Sequence, residues 1–194
     1  AVIEEGAETA KLNEMEGKWV FTLHNPSVMP FLQYADNREL RKQIHQAYIN
    51  RGNNNNDNDN KEVIKKIVEL RIQRAKLLGY KSHAEYVLEM NMAENIENVF
   101  NLLDQLWKPS LRRVNDELNA YTKIARSEGN NEPIQACDWR YYAEKHRKDK
   151  YELDEEELKP YFSLNAVREG IFYLCNTLFD IQFVPQPKLP AYHK

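Results

Sequence analysis

The chain has 194 residues with 27 basic and 30 acidic side chains, a net charge of −3 whose signs are intermixed along the sequence. That balance excludes the one-sided basic field of a nucleic-acid binder, and no apolar run approaches the ~20 residues needed to span a bilayer. Cys137 and Cys175 have neither C-x-x-C spacing nor a nearby histidine set, which argues against a thiolate metal site and a stapled secreted scaffold and favours buried free thiols, with a disulfide between the two left open.

Taken in chain order, residues 2–11 read as the middle of a helix. Lys18 to Leu23 alternates polar and apolar residues with Trp19, Phe21 and Leu23 on one face, the period of one short edge strand. Asn25, Pro26 and Pro30 break the chain ahead of a helix over about 31–51, where Leu40, Ile44, Ala47 and Tyr48 fall at helical spacing.

Residues 52–60, Gly-Asn-Asn-Asn-Asn-Asp-Asn-Asp-Asn, hold nothing that packs a core and read as a flexible solvent loop. Asp57-Asn58-Asp59-Asn60 resembles the start of a calcium loop, but Glu62 and Val68 stand where glycine and glutamate are required. Asn60 is placed to cap the next helix. In that helix Val63, Ile67, Leu70 and Leu77 mark one face and Ile64, Val68, Ile72 and Ala75 a second, so it is expected to be packed on both sides and to end at Gly79.

Ser82 and Glu85 have capping-box spacing for a short helix to about Met92. From Ile96 to Ala125 apolar residues recur every three or four positions, with a kink expected near Leu106 because Pro109 lies inside the run. After the connector 128–133, Asp138 opens a helix whose core face carries Trp139, Tyr142 and Ala143. Asp154 is placed to cap a further helix with acidic residues in its first turn. An aromatic, leucine-rich helix over about 164–179 reads as buried, and Pro185, Pro187 and Pro190 finish the chain as extended structure. The fold class is therefore all-α and multi-helical, with one short strand near residues 18–23, forming a single helical segment over 1–194.

Zinc hydrolysis on a helix needs two imidazoles one turn apart with a glutamate beside the first. His24, His45, His83, His146 and His193 include no pair at that spacing. No G-x-S-x-G elbow, Walker loop or pair of catalytic carboxylates is present. His83 with Glu85 and His146 with Glu144 are the two acid–base candidates, and both read better as structural. Tyr141, Tyr142, Tyr151 and Tyr161 among basic residues read as a solvated helix face with an aromatic core side rather than a nucleic-acid stacking platform. No catalytic, cofactor-binding or metal-binding residue is assigned.

The block from Asp138-Trp139-Arg140-Tyr141-Tyr142-Ala143-Glu144-Lys145-His146 to Leu158-Lys159-Pro160-Tyr161-Phe162 resembles the peptidyl-dipeptidases, bacterial relatives of thimet oligopeptidase and oligopeptidase A. Trp19-Val20-Phe21-Thr22-Leu23, Asn37-Arg38-Glu39-Leu40-Arg41, Ala75-Lys76-Leu77-Leu78-Gly79-Tyr80 and Met92-Ala93 match in the same order. The resemblance implies a fragment of a two-lobed, channel-containing helical zinc peptidase that releases C-terminal dipeptides from short peptides. It implies that the zinc helix, H-E-x-x-H with a later glutamate, lies downstream. The segment would then shape the lobe and channel wall, carry no zinc and be inactive alone. Its partners would be short peptide substrates and the C-terminal catalytic part of its own chain, with no nucleic acid and no membrane, in the cytoplasm or, given a lost leader, the periplasm. From the residues alone a non-catalytic helical interaction module stays open.

Overall fold

The computed structural model describes residues 2–151 and 155–190, so the expected cap at Asp154 lies outside the described residues. The elements in order are α1 (Val2–Leu12), α2 (Asn25–Tyr34), α3 (Arg38–Ile49), α4 (Lys61–Leu77), α5 (His83–Leu88), α6 (Ile96–Ser127), α7 (Trp139–Tyr151), α8 (Glu155–Leu158), a 3-10 turn (Lys159–Phe162) and α9 (Leu164–Phe179). The fold is all-α. Two compact units divide the chain, Ala1–Asp149 and Lys150–Lys194.

The short strand is not formed. Residues 18–23 run without regular structure, and Val20 N–H donates to Gly6 O of α1 at 2.9 Å rather than to a neighbouring strand. A period of two makes a strand only where a second edge pairs with it, and the local neighbour here is a helix. Phe21 instead packs edge-on against Phe31, ring centroids 4.5 Å apart, while Trp19 is left 59% exposed. Ala10, Val28, Phe31 and Leu32 complete this first small core between α1 and α2.

The single helix expected over 31–51 is two helices. Pro26 starts α2 in its first turn, where its missing N–H costs nothing. Ala35–Asn37 then turns the chain, and Asn37 Oδ1 caps α3 by accepting from Leu40 N at 3.1 Å. The asparagine loop also caps differently from expectation: Asn60 makes no side-chain cap, and Asp59 Oδ1 accepts from Lys61 N at 3.0 Å instead. Lys61 Nζ gathers Asn53 Oδ1, Asn55 Oδ1 and Asp59 Oδ2 within 3.0 Å, so of the four residues that resemble the start of a calcium loop Asp59 is held by an ammonium.

Gly79 ends α4 as expected. It adopts φ +85, and Tyr80 N–H returns to Ala75 O at 2.9 Å, a closure that needs the left-handed region at the glycine. At α5, Ser82 Oγ accepts from Glu85 N, but Glu85 Oε2 reaches back to Lys81 N rather than to Ser82 N, and the helix stops at Leu88. The α6 helix runs unbroken through Pro109 for 32 residues. Its C-terminal third packs on α7, where Tyr121, Ala125, Tyr141 and Tyr142 form a second core with Trp139 and Ala143 against it.

The faces of α4 and α9 expected to pack find no partner among the described residues and stand exposed, as a fragment's would. In α4 the residues Val63, Ile64, Ile67, Val68, Leu70 and Ile72 are all exposed, and only Ala75 is buried. In α9 nothing is buried, and Ile171, Leu174, Leu178 and Phe179 face solvent. The N-terminal two-thirds of the α6 stripe, from Phe100 through Leu103, Leu106 and Trp107 to Val114, is equally bare. The accessible surface is 16197 Å². Two separate compact bodies of these sizes would present only about 11,000 Å².

Candidate functional site

In the first unit, α2, α3 and α7 enclose an open groove of about 750 Å³. Helical period puts Trp139, Arg140, Ala143, Glu144 and Arg147 on one face along α7, and that face lines the groove together with Ala136 just ahead of the helix. Met29 and Leu32 of α2 and Tyr48 and Ile49 of α3 form the opposing apolar wall, with His45 beside them. Glu144 is only 5% exposed and fully engaged: Arg147 Nε and a terminal nitrogen donate to its two oxygens at 2.8 and 2.7 Å, and Gln33 Nε2 donates at 2.9 Å. The Arg147 hydrogen bonds hold this carboxyl below its usual range against the opposing effect of burial.

A buried charge cluster links the same elements, its members outside the groove lining. Asp138, 0% exposed, stands just before α7 and receives Arg38 Nε at 3.1 Å and a terminal Arg38 nitrogen at 2.8 Å. Arg41 donates at 2.9 Å and Gln135 N at 3.1 Å. Burial alone pushes the Asp138 carboxyl up, and the hydrogen bonds from Arg38, Gln135 N and Arg41 outweigh it and hold the group below the ordinary aspartate range. Arg38 is correspondingly raised by its bond to Asp138.

Arg41 also donates to Ala35 O at 2.7 Å and Asp36 O at 3.0 Å, and its guanidinium lies 4.0 Å over the Tyr141 ring. Tyr141 O–H in turn donates to Asp36 Oδ1 at 2.8 Å. These bonds tie the α2–α3 turn to the start of α7. Arg41 Nε is the one buried side-chain polar atom without a partner among the described residues.

The two acid–base candidates are not assembled as pairs. His83 Nδ1 lies 3.4 Å from an Arg74 nitrogen, and its pKa is lowered by desolvation and by Arg71 and Arg74, while Glu85 serves the α5 terminus. His146 stacks edge-on with Tyr121 at 5.9 Å, whereas Glu144 points into the groove with Arg147. Cys137 is a buried free thiol, its pKa raised by burial, and Cys175 is a half-buried free thiol in the second unit.

The Arg38–Asp138–Arg41 cluster carries no signal in local periodicity, because its partners lie about a hundred residues apart. One clue was legible. Arg38 and Arg41 occupy the first turns of α3, where the helix dipole disfavours cations, and a buried carboxylate is what offsets that placement.

Among the described residues no three His, Cys, Asp or Glu side chains come together to hold a metal ion. No chemical step is assigned to a metal held by the described residues. No helix among the described residues is long and apolar enough to cross a membrane.

Residues 31–194 match the sequence profile of Peptidase family M3. The chain is 37% identical over 187 residues to organellar oligopeptidase A of Arabidopsis thaliana, covering 95% of this chain and 23% of that protein. It is 35% identical over 188 residues to dipeptidyl carboxypeptidase of Escherichia coli, covering 96% and 28%. It is 31% identical over 198 residues to oligopeptidase A of Haemophilus influenzae, covering 100% and 29%. The chain thus spans about a quarter of the length of the curated relatives it matches.

Proposed function

From the premise that the chain belongs to peptidase family M3, we propose that it is the wall-forming part of a zinc-dependent peptidase that acts on short peptides and releases C-terminal dipeptides. The observation that carries the reading is the family match across 31–194. Dipeptide release rests on the relative named dipeptidyl carboxypeptidase and on the resemblance of residues 138–162.

The chain's own residues do mechanical work in this reading. Asp138 with Arg38 and Arg41 sets the α2–α3 turn against α7, and α6 offers a 32-residue rod with one apolar side. The bare stripes of α4, α6 and α9 are surfaces that the remaining part of a longer polypeptide would cover. Zinc and the general base would come from that part, and the 194 residues alone would be inactive. The compartment in this reading is the cytoplasm; the names of relatives include a probable cytosolic form as well as the organellar one.

The test is product analysis. A polypeptide that continues this chain to the length of its relatives is incubated with blocked peptides of six to ten residues, and the fragments are identified by mass spectrometry. Sequential loss of dipeptides from the C-terminus is expected. Internal cleavage without dipeptide release would replace the exopeptidase reading with an oligopeptidase one, and absence of any cleavage would overturn both.

A further inference from the structure

We propose that the corner between α4 and α5 is a proton-operated latch, held shut by neutral His83 as the hydrogen-bond acceptor of Arg74 and released when His83 takes up a proton. The inference goes beyond the peptidase reading and does not depend on it.

Gly79 turns the chain at the end of α4, and Tyr80, His83 and Tyr86 gather beyond it. Tyr80 and Tyr86 meet edge-on with ring centroids 5.3 Å apart, Tyr80 O–H donates to Glu89, and the Arg74 guanidinium lies 5.0 Å over the Tyr86 ring. His83 stands beside Tyr86, centroids 6.3 Å apart, with its Nδ1 3.4 Å from a terminal nitrogen of Arg74. Arg74 of α4 therefore holds two side chains of α5, and both contacts act across the corner.

The Arg74 contact specifies the state of the ring. A guanidinium only donates, so Nδ1 accepts and the single proton of the neutral ring sits on Nε2. An imidazolium has no lone pair left for Arg74 and sets a second positive charge against Arg71 and Arg74. Desolvation and these two arginines hold His83 below its ordinary value. The carboxylates of the corner are engaged elsewhere, Glu85 with Lys81 N and Glu89 with Tyr80, and the Lys81 side chain is exposed. The other helix packed on α5 is α6, and among the described residues none of its charged side chains bears on His83.

A histidine whose closed-state pKa lies below its unfolded value of ~6.5 binds more protons open than closed in the interval between the two. The latch is at full strength above that interval and weakens as pH falls through it. Its onset near pH ~6.5 separates it from Asp138 and Glu144, which act below about pH 4.

The experiment is a pH titration of the isotopically labelled 194-residue chain. NMR follows the His83 ring, and hydrogen exchange follows the amides of Tyr86 and Glu89, which bond back to Ser82 O and Glu85 O. A His83 midpoint below that of the same chain unfolded in urea is expected. Protection of the two amides, corrected for the pH dependence of exchange itself, should fall over the same range, about tenfold for each pH unit between the two midpoints. Arg74→Gln should raise the His83 midpoint. His83→Gln, which offers an uncharged acceptor at every pH, should keep protection constant between about pH 7.5 and 5.

A His83 midpoint equal to or above the unfolded one, a midpoint that Arg74→Gln leaves in place, or protection that ignores the titration would each overturn the latch. So would loss of protection in acid by His83→Gln to the wild-type extent, because another group would then be taking up the proton. The wild-type titration decides by itself where a variant fails to fold, and hydrolysis by the longer polypeptide judges the peptidase reading separately.

Discussion

Arg41 donates to Asp138 at 2.9 Å across 97 positions of sequence, with both side chains essentially out of water. A charge pair in that setting is costly to form and more costly to break, because removing one member leaves the other buried and uncompensated. Asp138→Ala strands two guanidinium groups and is expected to destabilise the chain by about 3–5 kcal/mol. A urea-unfolding midpoint that moves by less than a quarter of the wild-type value would contradict this.

Acid should act through the same carboxylate. Asp138 is held below its unfolded value near ~3.9, so its contribution is present above that pH and is lost as pH falls through the folded value. Glu144 is lowered in the same sense. Stability is therefore expected to fall as pH drops below about 4, and Asp138→Asn should flatten that dependence. Urea midpoints of both proteins between pH 7 and pH 2.5 give the comparison.

Gly6 tests the first core. A Cβ there would lie 2.7 Å from Phe21 Cζ, and the Phe21 ring is itself braced edge-on against Phe31. Alanine gains about 1 kcal/mol of helix propensity over glycine, yet overpacking costs about 1–3 kcal/mol. Gly6→Ala is expected to lower the melting temperature; a rise would mean that Phe21 moves aside freely.

Asn37 sets the phase of α3 and with it the positions of Arg38 and Arg41. Its side chain caps Leu40 N, so Asn37→Ala should cost about 1 kcal/mol, and Asn37→Ser should recover most of it. Equal loss in both variants would show that the turn, not the cap, matters.

Much of this was legible in the sequence. Asp138 before α7, Gly79 after α4 and Ser82 at α5 are local signals, each read from a few neighbouring residues. The 18–23 strand failed because alternation states a preference that only a pairing edge can satisfy. The faces of α4 and α9 are bare for a different reason: an apolar stripe specifies that a partner is wanted, not that it lies in these 194 residues.

The exposed stripes make their own prediction. Dye that fluoresces on apolar surface should bind strongly, and light scattering should show self-association rising with concentration. Ile64→Lys with Val68→Lys on α4 should reduce both, at a stability cost within about 0.5 kcal/mol. A wild-type chain that stays monomeric and dye-silent would contradict the picture of uncovered faces.

The most direct measurement compares zinc content and cleavage of a quenched fluorescent peptide between the 194-residue chain and a polypeptide extended to the length of its relatives. The account predicts one zinc and cleavage in the longer protein, and neither in the shorter. Cleavage by the 194-residue chain with its own bound zinc would contradict it.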